Sequence, residues 1–302
     1  MKRILCLVIF TLASVSASVQ AQTPRANSTE DFFKRGVARY QQGDLDGAFN
    51  DFDHALELAT QLSPGAVAAN HIGIVNPEAA VLYYNRAVVR YDQQDYAAAR
   101  GDLDEALALN PHYVLAWIKR GNLRSQQGEL DGALDDFSRA IKLDPRAVLA
   151  WNNRGLVHQN KGNLAAALSD YTQALMLDPR LPSALNNRAG IRHDQGDLRG
   201  ALRDYDQAIA LDPSLALLYS NRGLTRKALG DLRGALADYS EAIRLKPDFN
   251  LAYFNRSAAW KALGNGFEAE QDFIRSQAPA TQTEQPKRAL EPPLAGTQTV
   301  KQ

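Results

Sequence analysis

An arginine followed sixteen residues later by an aspartate occurs seven times in this 302-residue chain: Arg35/Asp51, Arg86/Asp102, Arg120/Asp136, Arg154/Asp170, Arg188/Asp204, Arg222/Asp238 and Arg256/Asp272. From Arg86 onward the arginines keep a strict 34-residue spacing. A fixed period of that length means that one supersecondary unit recurs, and that neighbouring copies must stack to bury an apolar face none can bury alone. Such an array offers one long surface, which points to binding before catalysis.

Lys+Arg (34) balance Asp+Glu (34), so there is no electrostatic case for nucleic acid or an anionic membrane as the main ligand. The first residues stand apart. Lys2 and Arg3 precede an apolar run, Ile4 to Ala13, and small residues lead to Val19-Gln20-Ala21. This is the pattern of a secretory signal peptide, residues 1–21, cut after Ala21 or, as second choice, after Ala17. The run is short of the roughly 20 residues that span a bilayer. The expectation is export, with the periplasm first and secretion second, and no integral membrane segment after cleavage. Cys6 lies inside the leader, so the mature chain holds no cysteine and its folding rests on packing without disulfides.

The repeating unit is readable in 148–181. Its first half carries Trp151, Arg154 and Gly155 and ends at Gly162; its second begins at Asn163 and carries Leu164, Ala167, Tyr171, Ala174, Leu177 and Pro179. Each half reads as one helix. Gly162, matched by Gly43, Gly128, Gly196, Gly230 and Gly264, supplies the left-handed residue that ends the first helix. The next residue (Asp44, Asp95, Glu129, Asn163, Asp197, Asp231 or Asn265) is an N-cap candidate for the second. Pro77, Pro111, Pro145, Pro179, Pro213 and Pro247 are expected to stop the second helices and to pre-set the start of the next.

This pattern resembles the tetratricopeptide repeat: an aromatic at repeat position 4, Gly or Ala at 8, Gly at 15, Ala at 20, an aromatic at 24, Ala at 27 and Pro at 32. In the third repeat these are Trp117, Gly121, Gly128, Ala133, Phe137, Ala140 and Pro145. The resemblance implies an all-α fold, a right-handed α-solenoid superhelix of helix-turn-helix units whose first helices line a concave groove. Seven repeats are expected, at 29–62, 80–113, 114–147, 148–181, 182–215, 216–249 and 250–277, after a linker at 22–28. An insertion, 63–79, separates the first two. Gln94 stands where glycine is usual, which suggests a looser turn. The last repeat lacks its closing proline, and 278–302 reads as a disordered tail rich in Gln, Thr, Pro and Ala.

Position 7 of this repeat pattern is commonly leucine, yet here it is arginine throughout, and position 23 is always aspartate. At about 100° per residue, position 7 falls within about 60° of positions 4 and 11, the packing face. Two charges aimed at partly buried ground are expected to pair, within a repeat or between neighbours. The alternative is that the arginines meet a ligand. The basic residues at position 11 (Arg39, Arg90, Arg124, His158, Arg192 and Arg226) are expected to pair with acids such as Asp53, Asp104 or Asp206, or to form an outward stripe.

Position 6 lies about 200° from position 4, away from that face. It reads Lys34, Asn85, Lys119, Asn153, Asn187, Asn221 and Asn255, with Asn152 and Asn186 adding position 5. A row of amides can donate to backbone C=O and accept from backbone N–H, and so hold an extended peptide with little regard to its side chains. These nine residues are the candidate peptide-binding groove; the competing reading is that they only solvate the face. Lys34 and Lys119 give a mild preference for acidic groups at the amino-terminal end.

Catalytic and metal constellations are missing from the pattern. His54, His71, His112, His158 and His193 fall at unrelated repeat positions, and no P-loop, nucleophile elbow or metal-ligand spacing occurs. The expectation is a non-catalytic scaffold or adaptor that binds a protein or peptide, without metal or cofactor and without nucleic acid, in a cell-envelope complex. A chaperone-like carrier of secreted or unfolded clients is the alternative.

Overall fold

The computed structural model describes residues 28–61 and 77–278, so the leader, the linker to residue 27, most of the insertion and the tail beyond Ala278 lie outside the described residues. Everything described is helix or tight turn: α1 Thr29–Gln42, α2 Leu45–Gln61, α3 Pro77–Asp92, α4 Tyr96–Leu109, α5 Val114–Gln126, α6 Leu130–Leu143, α7 Val148–Asn160, α8 Leu164–Leu177, α9 Pro182–Asp194, α10 Leu198–Leu211, α11 Ala216–Ala228, α12 Leu232–Leu245, α13 Asn250–Ala262 and α14 Gly266–Ser276. Two compact bodies divide the chain: one ends at Ala147 and holds α1 to α6, and the other starts at Val148 and holds α7 to α14. Within each body, consecutive helices pair as antiparallel hairpins, and the second helix of one hairpin packs on the first helix of the next. This is the all-α, α-solenoid architecture.

The turn inside each hairpin is set by one left-handed residue. Gly162 has φ +80°, the other five glycines of its ladder have φ between +82° and +84°, and Gln94 adopts the same conformation at φ +66°. The turn at Gln94 is therefore not looser; it keeps the common geometry and takes the steric cost of a Cβ there. Side-chain caps are fewer than the sequence suggests. Asp44, Asp95, Asp197 and Asp231 accept from the backbone N–H three residues on, at 2.8–3.1 Å, whereas Glu129, Asn163 and Asn265 make no such bond. Pro77 opens α3, as expected of a proline that pre-sets the next helix, so the last residues of the expected insertion, 77–79, form the first turn of a helix.

Close approach of the paired helices depends on the small residue at position 8. A Cβ on Gly155 would sit 2.9 Å from the Tyr171 ring, inside contact distance. The position-24 side chains Phe52, Leu103, Phe137, Tyr171, Tyr205 and Tyr239 are 0–3% exposed, and Phe52, Phe137, Tyr171 and Tyr239 lie directly against the position-8 glycine of their own hairpin. Each such burial contributes about 1.5–3 kcal/mol.

The two ends differ. On α1, Lys34 and Ala38 are exposed and Asp31 is half-buried, a polar finish. On α14, Phe273 at position 24 is 49% exposed and Ile274 57%. Ile274 stands where earlier repeats carry Asp53, Asp104, Ser138, Thr172, Asp206 and Ser240.

Candidate protein-interaction surface

The arginine–aspartate ladder forms in full. In each repeat the position-7 guanidinium grips its aspartate with two nitrogens: Nε and Nη2 of Arg120 lie 3.0 and 2.7 Å from Asp136, and Arg35/Asp51, Arg86/Asp102, Arg154/Asp170, Arg188/Asp204, Arg222/Asp238 and Arg256/Asp272 repeat the arrangement. All seven aspartates are buried. Planar fork-to-carboxylate pairing is what arginine supplies and lysine does not.

Position 11 behaves differently from the expectation. Arg39, Arg90, Arg124, Arg192 and Arg226 turn inward and bind the same buried aspartates, with Nη1 2.7–3.1 Å away. Asp53, Asp104 and Asp206 instead receive the position-7 arginine of the next repeat, Arg86, Arg120 and Arg222. A buried carboxylate facing two guanidiniums leaves excess positive charge, and the outer aspartate neutralises it across the seam. Burial alone would lower the Arg120 pKa, but its bonds to Asp136 and Asp104 outweigh that and hold it above the usual arginine value. Rings at position 4 complete the cradle: the Arg120 guanidinium stacks over Trp117 at 4.7 Å, and Arg222 over Tyr219 at 5.5 Å. From Arg86 onward the ladder arginines are at most 20% exposed, with their charge spent on aspartates; Arg35, at the first repeat, is 43% exposed.

The candidate groove residues require a correction. The sequence places position 6 on an open face, but Asn85, Lys119, Asn152, Asn153, Asn186 and Asn187 are at most 6% exposed. For Asn152, Asn153, Asn186 and Asn187 the cause is lateral packing: first helices of neighbouring repeats lie side by side in the second body, α7 by α9, α9 by α11 and α11 by α13, and close over residues that one helical wheel shows as free. The buried amides bond to each other only in part, and Asn152 Oδ1 and Asn187 Nδ2 stay buried without a hydrogen-bond partner. Asn152 donates to Asn153 Oδ1 (2.9 Å), Asn186 to Asn187 Oδ1 (3.2 Å), and Asn221 reaches from α11 to Asn186 Oδ1 (3.0 Å). The Tyr171 hydroxyl donates to Gln159 Oε1 at 2.9 Å, and burial pushes its pKa far up. Asn85 folds back onto the Val81 carbonyl of its own helix at 2.7 Å. Lys119 is buried with its ammonium 3.7 Å from the centre of the Tyr91 ring. Lys34 is exposed and pairs with Glu30 at 2.6 Å.

Asn221 and Asn255 remain half-buried and accessible. Beside them the structure shows what the sequence reading missed. Leu224, one turn beyond Asn221, is 36% exposed; Leu251 and Phe254, on the same side of α13 as Asn255, are 53% and 48% exposed. Apolar side chains at positions 2, 5 and 9 are not needed by the hairpin core, and that surplus is the sequence signal that could have found them. The result is an apolar strip with two amides at its edge, on adjacent first helices of one body. Among the described residues no three His, Cys, Asp or Glu side chains are grouped to hold a metal ion, and no helix is long and apolar enough to cross a membrane.

Sequence profiles described as "TPR repeat" match residues 121–162 and 190–230, and profiles described as "Tetratricopeptide repeat" match 80–113, 148–181 and 216–249. No curated protein matches the chain significantly. Among solved structures, a tetratricopeptide repeat protein from Parabacteroides merdae is similar with a TM-score of 0.61 at 20% identity, covering 84% of this chain and 94% of that one. PilW, titled a widely conserved type IV pilus biogenesis factor, gives 0.60 at 22% identity over 66% of this chain and 92% of its own. YrrB, titled a TPR protein with an unusual peptide-binding site, gives 0.51 at 20% identity over 58% of this chain and 90% of its own. At these identities the likeness is one of fold.

Proposed function

This chain belongs to the tetratricopeptide repeat family, and we propose that it is a protein-interaction scaffold that grips an extended polypeptide along the first helices of its second body. The strip of Leu224, Leu251 and Phe254 beside Asn221 and Asn255 carries this reading. Exposed apolar side chains flanked by amides suit a peptide whose side chains fill the strip while its backbone bonds to the amides. The ladder supports the same reading, because it fixes the first helices rigidly and so pre-organises the surface. The leader-like residues 1–21 suggest that the work is done after export, in the cell envelope, and that the partner is a subunit of an envelope complex. A peptide-binding site is named for YrrB and pilus biogenesis for PilW, which are consistent settings for such a scaffold.

The test is a selection of peptides from a random library on the full chain, followed by fluorescence anisotropy on the best binders. Phe254→Ser combined with Asn255→Ala should weaken them at least tenfold while far-UV circular dichroism stays unchanged. Equal affinity in the variant sinks the proposal. Binding of nearly every apolar peptide with no selected consensus would favour the carrier over the adaptor.

A further inference from the structure

Most position-7 arginines are held three ways: by the aspartate sixteen residues on, by an aromatic ring at position 4, and by an oxygen on the second helix of the preceding repeat. Arg222 has Asp238, the Tyr219 ring and Asp206, the last at 2.8 Å. Arg256 has Asp272, the Tyr253 ring and Ser240 Oγ at 3.0 Å. In the other body, Arg120 has Asp136, the Trp117 ring and Asp104 at 2.6 Å.

Arg188 departs twice. Its position 4 is Leu185, which offers no ring, and the place of Asp206 is taken by Thr172, to which it makes no bond. Nε and Nη2 hold Asp204 at 2.9 and 2.8 Å, and Nη1 has no partner among the described residues. Leucine in place of a ring removes bulk and threonine in place of aspartate removes the carboxylate, and a cavity of about 150 Å³ lies there between α8 and α10, floored by α9. Thr172, Leu175, Met176, Leu185, Arg188 and Gln207 line it, and Met176 is 71% exposed at its mouth.

We propose that this cavity recognises a carboxylate carried by a partner polypeptide next to an apolar side chain. The carboxylate takes the place that Asp206 fills one repeat later, accepting from Arg188 Nη1. The guanidinium edge is already oriented by Asp204, so little side-chain ordering remains to oppose binding. Leu175 and the flexible, polarizable Met176 supply the apolar contact. The site lies on the second-helix side and uses none of the groove residues, so it stands or falls independently of the function proposed above.

The chain holds two methionines, Met1 and Met176, so a sample labelled with ¹³C at the methionine methyl gives a directly assigned probe at the cavity mouth. An acetylated, amidated pentapeptide with leucine on either side of a central glutamate should shift the Met176 methyl saturably. The same peptide with glutamine at its centre should not. Thr172→Asp should abolish the response and raise the unfolding midpoint, because the introduced carboxylate occupies Arg188 Nη1. A third peptide, with glutamine at its centre but a free carboxyl terminus, separates the two sources: a response to it assigns the site to a chain end as well as to a side chain. A Met176 methyl that does not move with the glutamate peptide, or moves equally with the amidated glutamine peptide or in Thr172→Asp, overturns the proposal.

Discussion

Arg120 and Asp136 meet through two parallel hydrogen bonds of 3.0 and 2.7 Å, and Asp136 is 1% exposed. Asp136→Ala would leave Arg120 and Arg124 facing one another without their anion, at a cost of about 3–5 kcal/mol. Asp104→Ala removes only the half-exposed outer partner of Arg120 and should cost about 0–1 kcal/mol. Urea unfolding followed by circular dichroism separates the two. Equal losses would mean that the seam and the hairpin depend on the ladder to the same degree.

Gln94 pays a steric cost that the glycines at the same turn do not. Gln94→Gly should raise stability by about 1 kcal/mol, the penalty of a left-handed non-glycine residue less the extra unfolded-chain entropy of glycine. Gly162→Ala should lower it by a similar amount, since φ there is +80°. Thermal midpoints of the two variants should move in opposite directions.

His158 occupies the position where five other repeats put an arginine on the buried aspartate. Burial lowers its pKa from the ordinary 6.5 against the pull of Asp170. The unfolded chain then takes up a proton before the folded one. Stability is fully present above about pH 6.5 and declines as pH falls through and below that value. His158→Arg would supply Asp170 with a second guanidinium and remove this loss. Urea midpoints at about pH 7.5 and about pH 5.5 should converge in the variant relative to the parent. A parent midpoint that does not fall on acidification by more than the variant's does counts against this account.

Asn186 donates to Asn187 and accepts from Asn221, joining α9 to α11. Asn186→Ala leaves the buried Asn187 Oδ1 without its donor and removes the link to Asn221, and should cost about 1–3 kcal/mol. Asn255→Ala, at a half-buried position, should leave the unfolding midpoint within about 0.5 kcal/mol. An undiminished midpoint for Asn186→Ala would return the amides to the role of surface solvation.

The repeat period, the hairpin turns and the pairing of Arg154 with Asp170 were legible because each follows from chemistry within one 34-residue unit. Pairing partners at position 11 were misread for the same reason that the amides were. A helical wheel of one repeat shows Asn153 and Asn187 as free, but their burial is created by the neighbouring first helix, which no single repeat contains. Arg39 and Arg90 read as partners of outer acids such as Asp53 and Asp104 or as an outward stripe, and only the packed distance selects Asp51 and Asp102. Leu251 and Phe254 escaped notice because apolar residues are presumed to be core until exposure is known.

Ile274 carries a last consequence. Asp53, Asp104, Asp206 and Ser240 each give an oxygen to the arginine of the following repeat from that register. A module appended after the final helix would set its arginine against a hydrocarbon.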